Sequence, residues 1–459
     1  MSILIQHGVL VLPTGPAEAD LRTEGGRIVQ IGPRLSPGSS QVIDAAGKLV
    51  FPGFIDTHTH FEMNKGLPNE TADNWYTGTR AALAGGTTTV LDFAEPRRGE
   101  SLSSALDVWH ERAGGRASCN YGFHMTIKEW SPAVRAQLRE MGAAGVTSYK
   151  IYMAYDALRL SDGPALEAVR AVGEEGGIVG CHCENGDLVD AGISAQKAAG
   201  NLGPAAHPLS RPPAVEAEAV TRWLTIGELA GTPVNIVHLS TLRGLEAVRA
   251  ARARGQALYV ETCPQYLLLD ESRYRLPGFE GAKYVLSPPL RAPENCGALW
   301  AAVSGGEIDT IGTDHCSFRL SVKALGRDDF SRIPNGIPGV EHRPALLYTY
   351  GVAAGRLSPA GMARLLAENP ARLFGMWPQK GCLAVGSDAD IVIFDPNYTG
   401  SITAAGQYQN VDYTPYEGFP LRGRADTVLL GGEVAVRGGR VLLERRGRFV
   451  RRGPSSFWR

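Results

Sequence analysis

The sequence predicts an α/β protein, a (β/α)8 TIM barrel with a small β-sandwich domain formed by both chain termini. Three observations lead there. The two ends of the 459-residue chain share one texture, short apolar runs broken by glycine pairs. The middle alternates strand-like apolar runs with amphipathic helical stretches about eight times, which is the rhythm of a parallel barrel. Chemically capable side chains fall at the ends of those apolar runs, where a barrel carries its chemistry.

The first element is the N-terminal part of the sandwich, residues 1–50, with the runs ILIQHGVLVL, GGRIVQIG and GKLVFPG. Glycine pairs between β-rich runs are hairpin signals. The opening residues are apolar but lack a basic flank and a small-residue cleavage site, so they read as a strand rather than a signal peptide. The C-terminal part, residues 383–459, has the same signals in DADIVIFDP and TVLLGGEVAVRGGRVLLE. Neither end alone could bury a good core, so the two are expected to pack together. Between them, residues 51–382 hold the strand candidates FPGFIDTHTH, TTTVLDFAEP, NYGFHMTI, VTSYKIYMAY, GIVGCHCEN, VNIVHLS, ALYVETCPQYLLL and IDTIGTDHCS. Several intervening helices end in glycine, as helix C-termini often do. A doubly wound open sheet would call for a glycine-rich phosphate loop, and the sequence carries no such motif.

Composition excludes some classes. A net charge of −1 gives no global reason to bind nucleic acid. No apolar run approaches the roughly 18 residues of a membrane span. Seven thinly spread cysteines suggest reduced thiols and a cytoplasmic home.

The candidate site is a metal constellation. His58 and His60 close the first run, two residues apart, so on a strand both imidazoles face one side. His182 ends the fifth run, His238 the sixth, and Asp314 the eighth. Each could be a structural residue or, for Asp314, a helix cap; their joint position on strand ends favours metal ligation. Lys150 ends the fourth run. An ammonium cannot ligate a metal. It could pair with Asp314, or, if burial lowers its pKa, react with CO2 to give a bridging carbamate. Cys181 and Cys183 flank His182 and should point away from it; Cys316 reads as packing, and His124 as a rim residue at most. Glu184 and Asp187 read as capping or solvated groups.

The stretches GFIDTHTHF, GGTTTVLDFAEP, YKIYMAY, HCENGD, VHLS, ETCPQYLLLD, SPPLR, GTDHCSF, IPNGIPGVEHR, LFGMWPQKG and GSDADIVIFDP resemble the cyclic amidohydrolases of the amidohydrolase superfamily. The dihydropyrimidinase and hydantoinase branch is the nearest, and within it the phenylhydantoinase-type D-hydantoinases. The resemblance implies two divalent metal ions, usually zinc. His58, His60 and Asp314 would bind one, His182 and His238 the other, and Lys150, as N6-carboxylysine, would bridge them. It further implies Tyr155 as oxyanion donor, Asp314 as proton carrier, and backbone groups at Ser287 and Asn335 as the grip on a small cyclic ureide or imide. Loops 62–72, 93–100 and 153–160 would shape the side-chain pocket, with Phe61, Met63, Leu67, Trp75 and Tyr155 as walls. The implied reaction opens hydantoins or dihydropyrimidines to N-carbamoyl amino acids, D-selective and tolerant of aromatic 5-substituents. A homotetramer is implied too, with the tail residues Phe457 and Trp458 docking on a neighbour. A dihydroorotase would carry an arginine shortly after its His-x-His, where this chain has Phe61, Glu62 and Met63. An allantoinase and a non-catalytic dihydropyrimidinase-like scaffold stay open as alternatives.

Overall fold

The computed structural model describes residues 2–458. Eight parallel strands follow one another around the centre: β1 (Phe54–Thr59), β2 (Thr87–Ala94), β3 (Asn120–Thr126), β4 (Ser148–Tyr152), β5 (Ile178–His182), β6 (Val234–Ile236), β7 (Leu258–Thr262) and β8 (Thr310–Ile311). Every residue of these strands is buried, because helices cover the outer face and side chains fill the inside. That explains why they read as nearly continuous apolar runs rather than as alternating ones. The helices have ordinary punctuation. Pro132–Ala144, for example, starts at the N-cap Ser131 with proline in its first turn and stops at Gly145, whose φ is 88°.

The barrel closes where β1 meets β8, and few ladder bonds do it. Thr59 pairs with His315, and the His60 N–H donates to the His315 carbonyl (2.8 Å). Beneath this seam lies Arg343, with no exposed surface. Its Nη1 donates to the carbonyls of Ile55 and Ile311, both at 2.8 Å, and its Nη2 to Thr87 Oγ1 at 3.1 Å. Arg343 Nε stands 3.8 Å from Asp56 Oδ2. One side chain thus ties the first, second and last strands together.

The termini build two sheets that pack as a sandwich. Ser2–Gln6, Asp20–Glu24, Arg27–Gly32 and Gln41–Asp44 form one sheet of four strands. The other, of seven strands, joins both ends of the chain: Leu49–Pro52 lies between Val9–Leu12 and Ile391–Ser401. Ile3, Ile5, Leu10, Val50, Ile391 and Leu429 fill the space between the sheets. Gly53 links the sandwich to β1; a Cβ there would lie 2.1 Å from Thr88 Oγ1.

The tail departs from the sequence expectation. It runs across the floor of its own barrel. Tyr121 N–H donates to the Arg448 carbonyl (3.0 Å) and Val450 N–H to the Tyr121 carbonyl (2.7 Å). Phe457 stacks on Tyr259 with centroids 5.8 Å apart, and Trp458 N–H donates to the Tyr259 hydroxyl (2.7 Å). The aromatic tail residues therefore have a partner within the chain, and each still keeps more than a third of its surface exposed, Phe457 39% and Trp458 37%.

Arg343→Met should strip the seam of its clamp and leave Asp56 buried without its cation. A loss of about 3–5 kcal/mol in unfolding free energy is expected for breaking such a buried pair, read from urea unfolding curves.

Candidate active site

The mouth of the barrel brings the six candidate ligands together. Along β1, Asp56, His58 and His60 share one side by the two-residue period. His58 Nδ1 donates to Glu261 Oε1 (2.7 Å) at the end of β7. Its other nitrogen, Nε2, has no hydrogen-bond partner and lies 3.2 Å from Asp314 Oδ1. His60 Nε2 lies 3.3 Å from the same oxygen. The donor atoms of His58, His60 and Asp314 are all within 4.8 Å of one another. In a neutral His58 with its proton on Nδ1, a bare lone pair faces a carboxylate oxygen, an arrangement that suits a cation between them.

The second pair is built the same way. His182 closes β5 and gives its Nε2–H to Glu184 Oε2 (2.8 Å), which turns Nδ1 toward His238 Nε2, 3.0 Å away. The His58 and His238 rings stand 5.4 Å apart and join the two pairs. Lys150, in the middle of β4 rather than at its end, is buried beside them, its Nζ 5.1 Å from the centroids of Phe93 and Tyr152. Among the described residues Asp314 forms ion pairs with His58 and His60 and none with Lys150. The donor set is what a pair of hard-to-borderline divalent ions takes, imidazoles and a carboxylate with carboxylates behind them.

Burial sets the protonation states. It holds His58 and His238 well below the ordinary histidine range, and lowers His182 as well, so these imidazoles are neutral and available as ligands. Burial lowers Lys150, though Asp314 and Glu261 oppose it. For His60 burial is outweighed by the hydrogen bond and charge of Asp314, and its pKa is raised. Asp314 is correspondingly lowered: the neighbouring His58 and His60 outweigh its own desolvation.

Tyr155 leans over this cluster with its ring 5.3 Å from that of His182. Its hydroxyl faces the side chains of Ser287 and Asn335. Three residues at the mouth, Tyr155, His238 and Asp314, have φ of 68°, 42° and 51°, a left-handed conformation that costs a non-glycine residue of order 1–3 kcal/mol and gathers at functional sites.

Several side chains differ from their sequence reading. Glu184 neither caps nor faces solvent. It is fully buried between His182 and Arg211 (Nη1 to Oε2, 2.8 Å), and although desolvation raises its pKa, Arg211 and His182 bring it down to about 2. Asp187 does sit exposed in the first turn of Gly186–Ala198, paired with Arg159. His124 lies inside the barrel below Lys150, not at its rim, with Nε2–H on the Thr57 carbonyl (3.0 Å). Cys181, Cys183 and Cys316 are buried. Trp75 packs in the core against Tyr121 and Phe123 with no exposed surface. The residue that sequence reasoning missed is Glu261. It closes β7 after an apolar run, the same signal that singled out Asp314, and it also receives Thr57 Oγ1 (2.7 Å) and the His238 N–H (3.3 Å).

Beside His60 is a cavity of about 240 Å³ lined by Phe61, Met63, Leu67, Phe93, Glu95 and Arg97. It joins loops 62–72 and 93–100. Glu62 anchors the first loop from below: its buried carboxylate pairs with Lys65 (2.6 Å) and Arg116 (2.5 Å).

Comparison with known proteins agrees with this architecture. The sequence profile of the Amidohydrolase family matches residues 49–435. A D-hydantoinase of Geobacillus stearothermophilus is 42% identical over 440 residues, 95% of this chain and 93% of that one. A D-phenylhydantoinase of Escherichia coli O81 (strain ED1a) is 42% identical over 469 aligned positions, covering 99% of both. The crystal structure of dihydropyrimidinase from Brevibacillus agri NCHU1002 superposes with a TM-score of 0.97 at 41% identity, covering 100% of both chains.

Glu261→Gln keeps the shape but weakens the acceptor that orients His58. If His58 ligates a divalent metal, a drop of about 10–100-fold in metal affinity is expected for losing such a partner, measured by competition with a chromogenic chelator.

Proposed function

The chain belongs to the amidohydrolase family, and we propose that it hydrolyses the cyclic amide bond of hydantoins or dihydropyrimidines to N-carbamoyl amino acids, with D-selectivity and tolerance of aromatic groups at ring carbon five. One observation carries this reading: His58, His60, Lys150, His182, His238 and Asp314 converge at one barrel mouth beneath Tyr155. The names of the D-hydantoinase and D-phenylhydantoinase relatives support the substrate class and the enantiomer. A complete ligand set speaks against a non-catalytic scaffold.

In this reading His58, His60 and Asp314 would hold one divalent ion, His182 and His238 would hold a second, and Lys150, carboxylated on Nζ, would serve both; zinc is the metal we propose. Such a pair supplies Lewis acidity and a water acidified to near-neutral pKa. The chain's own groups do the rest. As the water oxygen bonds to the ring carbonyl carbon, an oxygen of the Asp314 carboxylate would take its proton and pass it to the ring nitrogen whose C–N bond breaks. Tyr155 donates its hydroxyl hydrogen to the carbonyl oxygen as that oxygen gains charge. Backbone groups at Ser287 and Asn335 hold the imide-like edge. The cavity lined by Met63, Leu67 and Phe93 receives the substituent, each buried CH₂ adding up to about 0.8 kcal/mol. The proposed division gives residues 51–382 to the barrel, with Phe51 and Pro52 still in the sandwich strand Leu49–Pro52, and residues 1–50 and 383–459 to the sandwich and the tail. A cytoplasmic homotetramer completes the proposal, supported by family resemblance and no longer by the tail.

A kinetic panel of dihydrouracil, hydantoin, D- and L-phenylhydantoin, allantoin and dihydroorotate tests the substrate class. D-phenylhydantoin should give the highest kcat/KM; equal values for hydantoin and phenylhydantoin would remove the pocket assignment. Lys150→Ala should lose activity and the paired metals together, and added short carboxylic acids should restore part of the activity by standing in for the carbamate. A fully active, two-metal Lys150→Ala enzyme would exclude the carbamate. Tyr155→Phe should lower kcat by about 10²–10³ with little change in KM, as for loss of one oxyanion donor. A rise in KM at constant kcat would instead make Tyr155 a binding residue.

A further inference from the structure

Lys323 has no exposed surface. It ends the short helix Leu320–Lys323, beyond Asp314. No carboxylate pairs with it among the described residues. Instead Nζ donates to three backbone carbonyls, those of Val285, Pro334 and Gly336, each at 2.7 Å. An ammonium has three hydrogens and no acceptor, so the cage uses it completely. The three carbonyls belong to two segments, and those segments carry Ser287 and Asn335. The segments also touch directly, through the Gly336 N–H and the Val285 carbonyl (3.0 Å). The second is tied to the Asp314 loop by the Cys316 N–H and the Ile337 carbonyl (3.1 Å). A methionine would fill the same volume without the cost of burying a charge. What methionine could not do is hold three carbonyls of two loops at one point.

We propose that Lys323 is a positioning residue for the substrate, fixing the spacing between Ser287 and Asn335 so that their backbone groups meet the imide-like edge together. The proposal rests on the ring-opening function above. It assigns Lys323 no contact with the substrate and no part in the chemistry, so its loss should act on binding.

Two variants test it in the metal-loaded enzyme. Lys323→Met removes all three donors, and Lys323→Gln keeps an amide NH₂ with two. On the best substrate of the panel, KM should rise about tenfold or more in Lys323→Met, equivalent to about 1.4 kcal/mol of binding, and less in Lys323→Gln. Both variants should keep two metals by mass spectrometry and kcat within a fewfold of the parent. Amide hydrogen exchange should quicken in peptides spanning residues 285–287 and 334–336. Unchanged KM, or a fall in kcat at constant KM, would overturn the clamp. Should Lys323→Met fail to fold, Lys323→Gln decides by the same readouts. If the parent enzyme opens none of the rings, the proposed function falls; unchanged exchange in the two segments of Lys323→Gln would overturn the clamp independently.

Discussion

The closing seam of the barrel governs the site. His58 stands on β1, His60 just follows it, and Asp314 follows β8, so three groups that share one point come from the first and last strands of the barrel. Their distance is set only where those two strands meet. The ladder there is short, and side chains complete it. Arg343 ties the carbonyls of Ile55 and Ile311. His315 accepts the Gly339 N–H on Nδ1 (3.1 Å), which leaves Nε2–H to donate to Asp73 Oδ2 (3.2 Å). A histidine held at both nitrogens cannot rotate, so its carbonyl stays fixed as the acceptor for the His60 N–H.

The same economy governs the charges. Four imidazoles and a lysine without counter-ions would be costly in a dry cavity. Burial keeps His58, His182 and His238 neutral, the form that can bind a cation, while His60 is balanced by the Asp314 carboxylate. Orientation then falls to carboxylates one step out, Glu261 for His58 and Glu184 for His182. Each is held in turn, Glu261 by Thr57 and Glu184 by Arg211. Arg211 also lies 5.6 Å from the Tyr155 ring, so one buried ion pair fixes a histidine and the neighbouring phenol. The left-handed backbone at Tyr155, His238 and Asp314 persists because such partners over-determine it.

What was legible in the sequence follows from locality. Period-two spacing places His58 and His60 on one face whatever the tertiary structure, and eight apolar runs with polar ends imply a barrel mouth. The partners behind the ligands lack any such spacing. Glu184 and Arg211 are 27 residues apart, and Glu261 and His58 are 203 apart. A glutamate after an apolar strand looks the same whether it caps a helix or holds a ligand; the fold decides. Lys323 is harder still, since its partners are backbone carbonyls, which every residue has. For the tail, apolarity pointed to a contact without identifying the Tyr259 partner within the chain.

The tail's actual position links the floor of the barrel to its mouth. Arg452, buried under β3 and β4, donates from Nη1 to Ser148 Oγ (2.6 Å). Ser148 donates to His124 Nδ1 (2.6 Å), because His124 Nε2 must carry the proton that the Thr57 carbonyl accepts (3.0 Å). The Thr57 hydroxyl donates to Glu261 Oε2 (2.7 Å), and Glu261 Oε1 accepts from His58 Nδ1 (2.7 Å). Donation runs from Arg452 through Ser148 and His124 to the Thr57 carbonyl, and Glu261 then accepts from both sides, from the Thr57 hydroxyl and from His58. These contacts join the Arg452 guanidinium to His58, whose Nε2 has no hydrogen-bond partner. Arg452 therefore links the tail under the barrel to the polar groups behind His58.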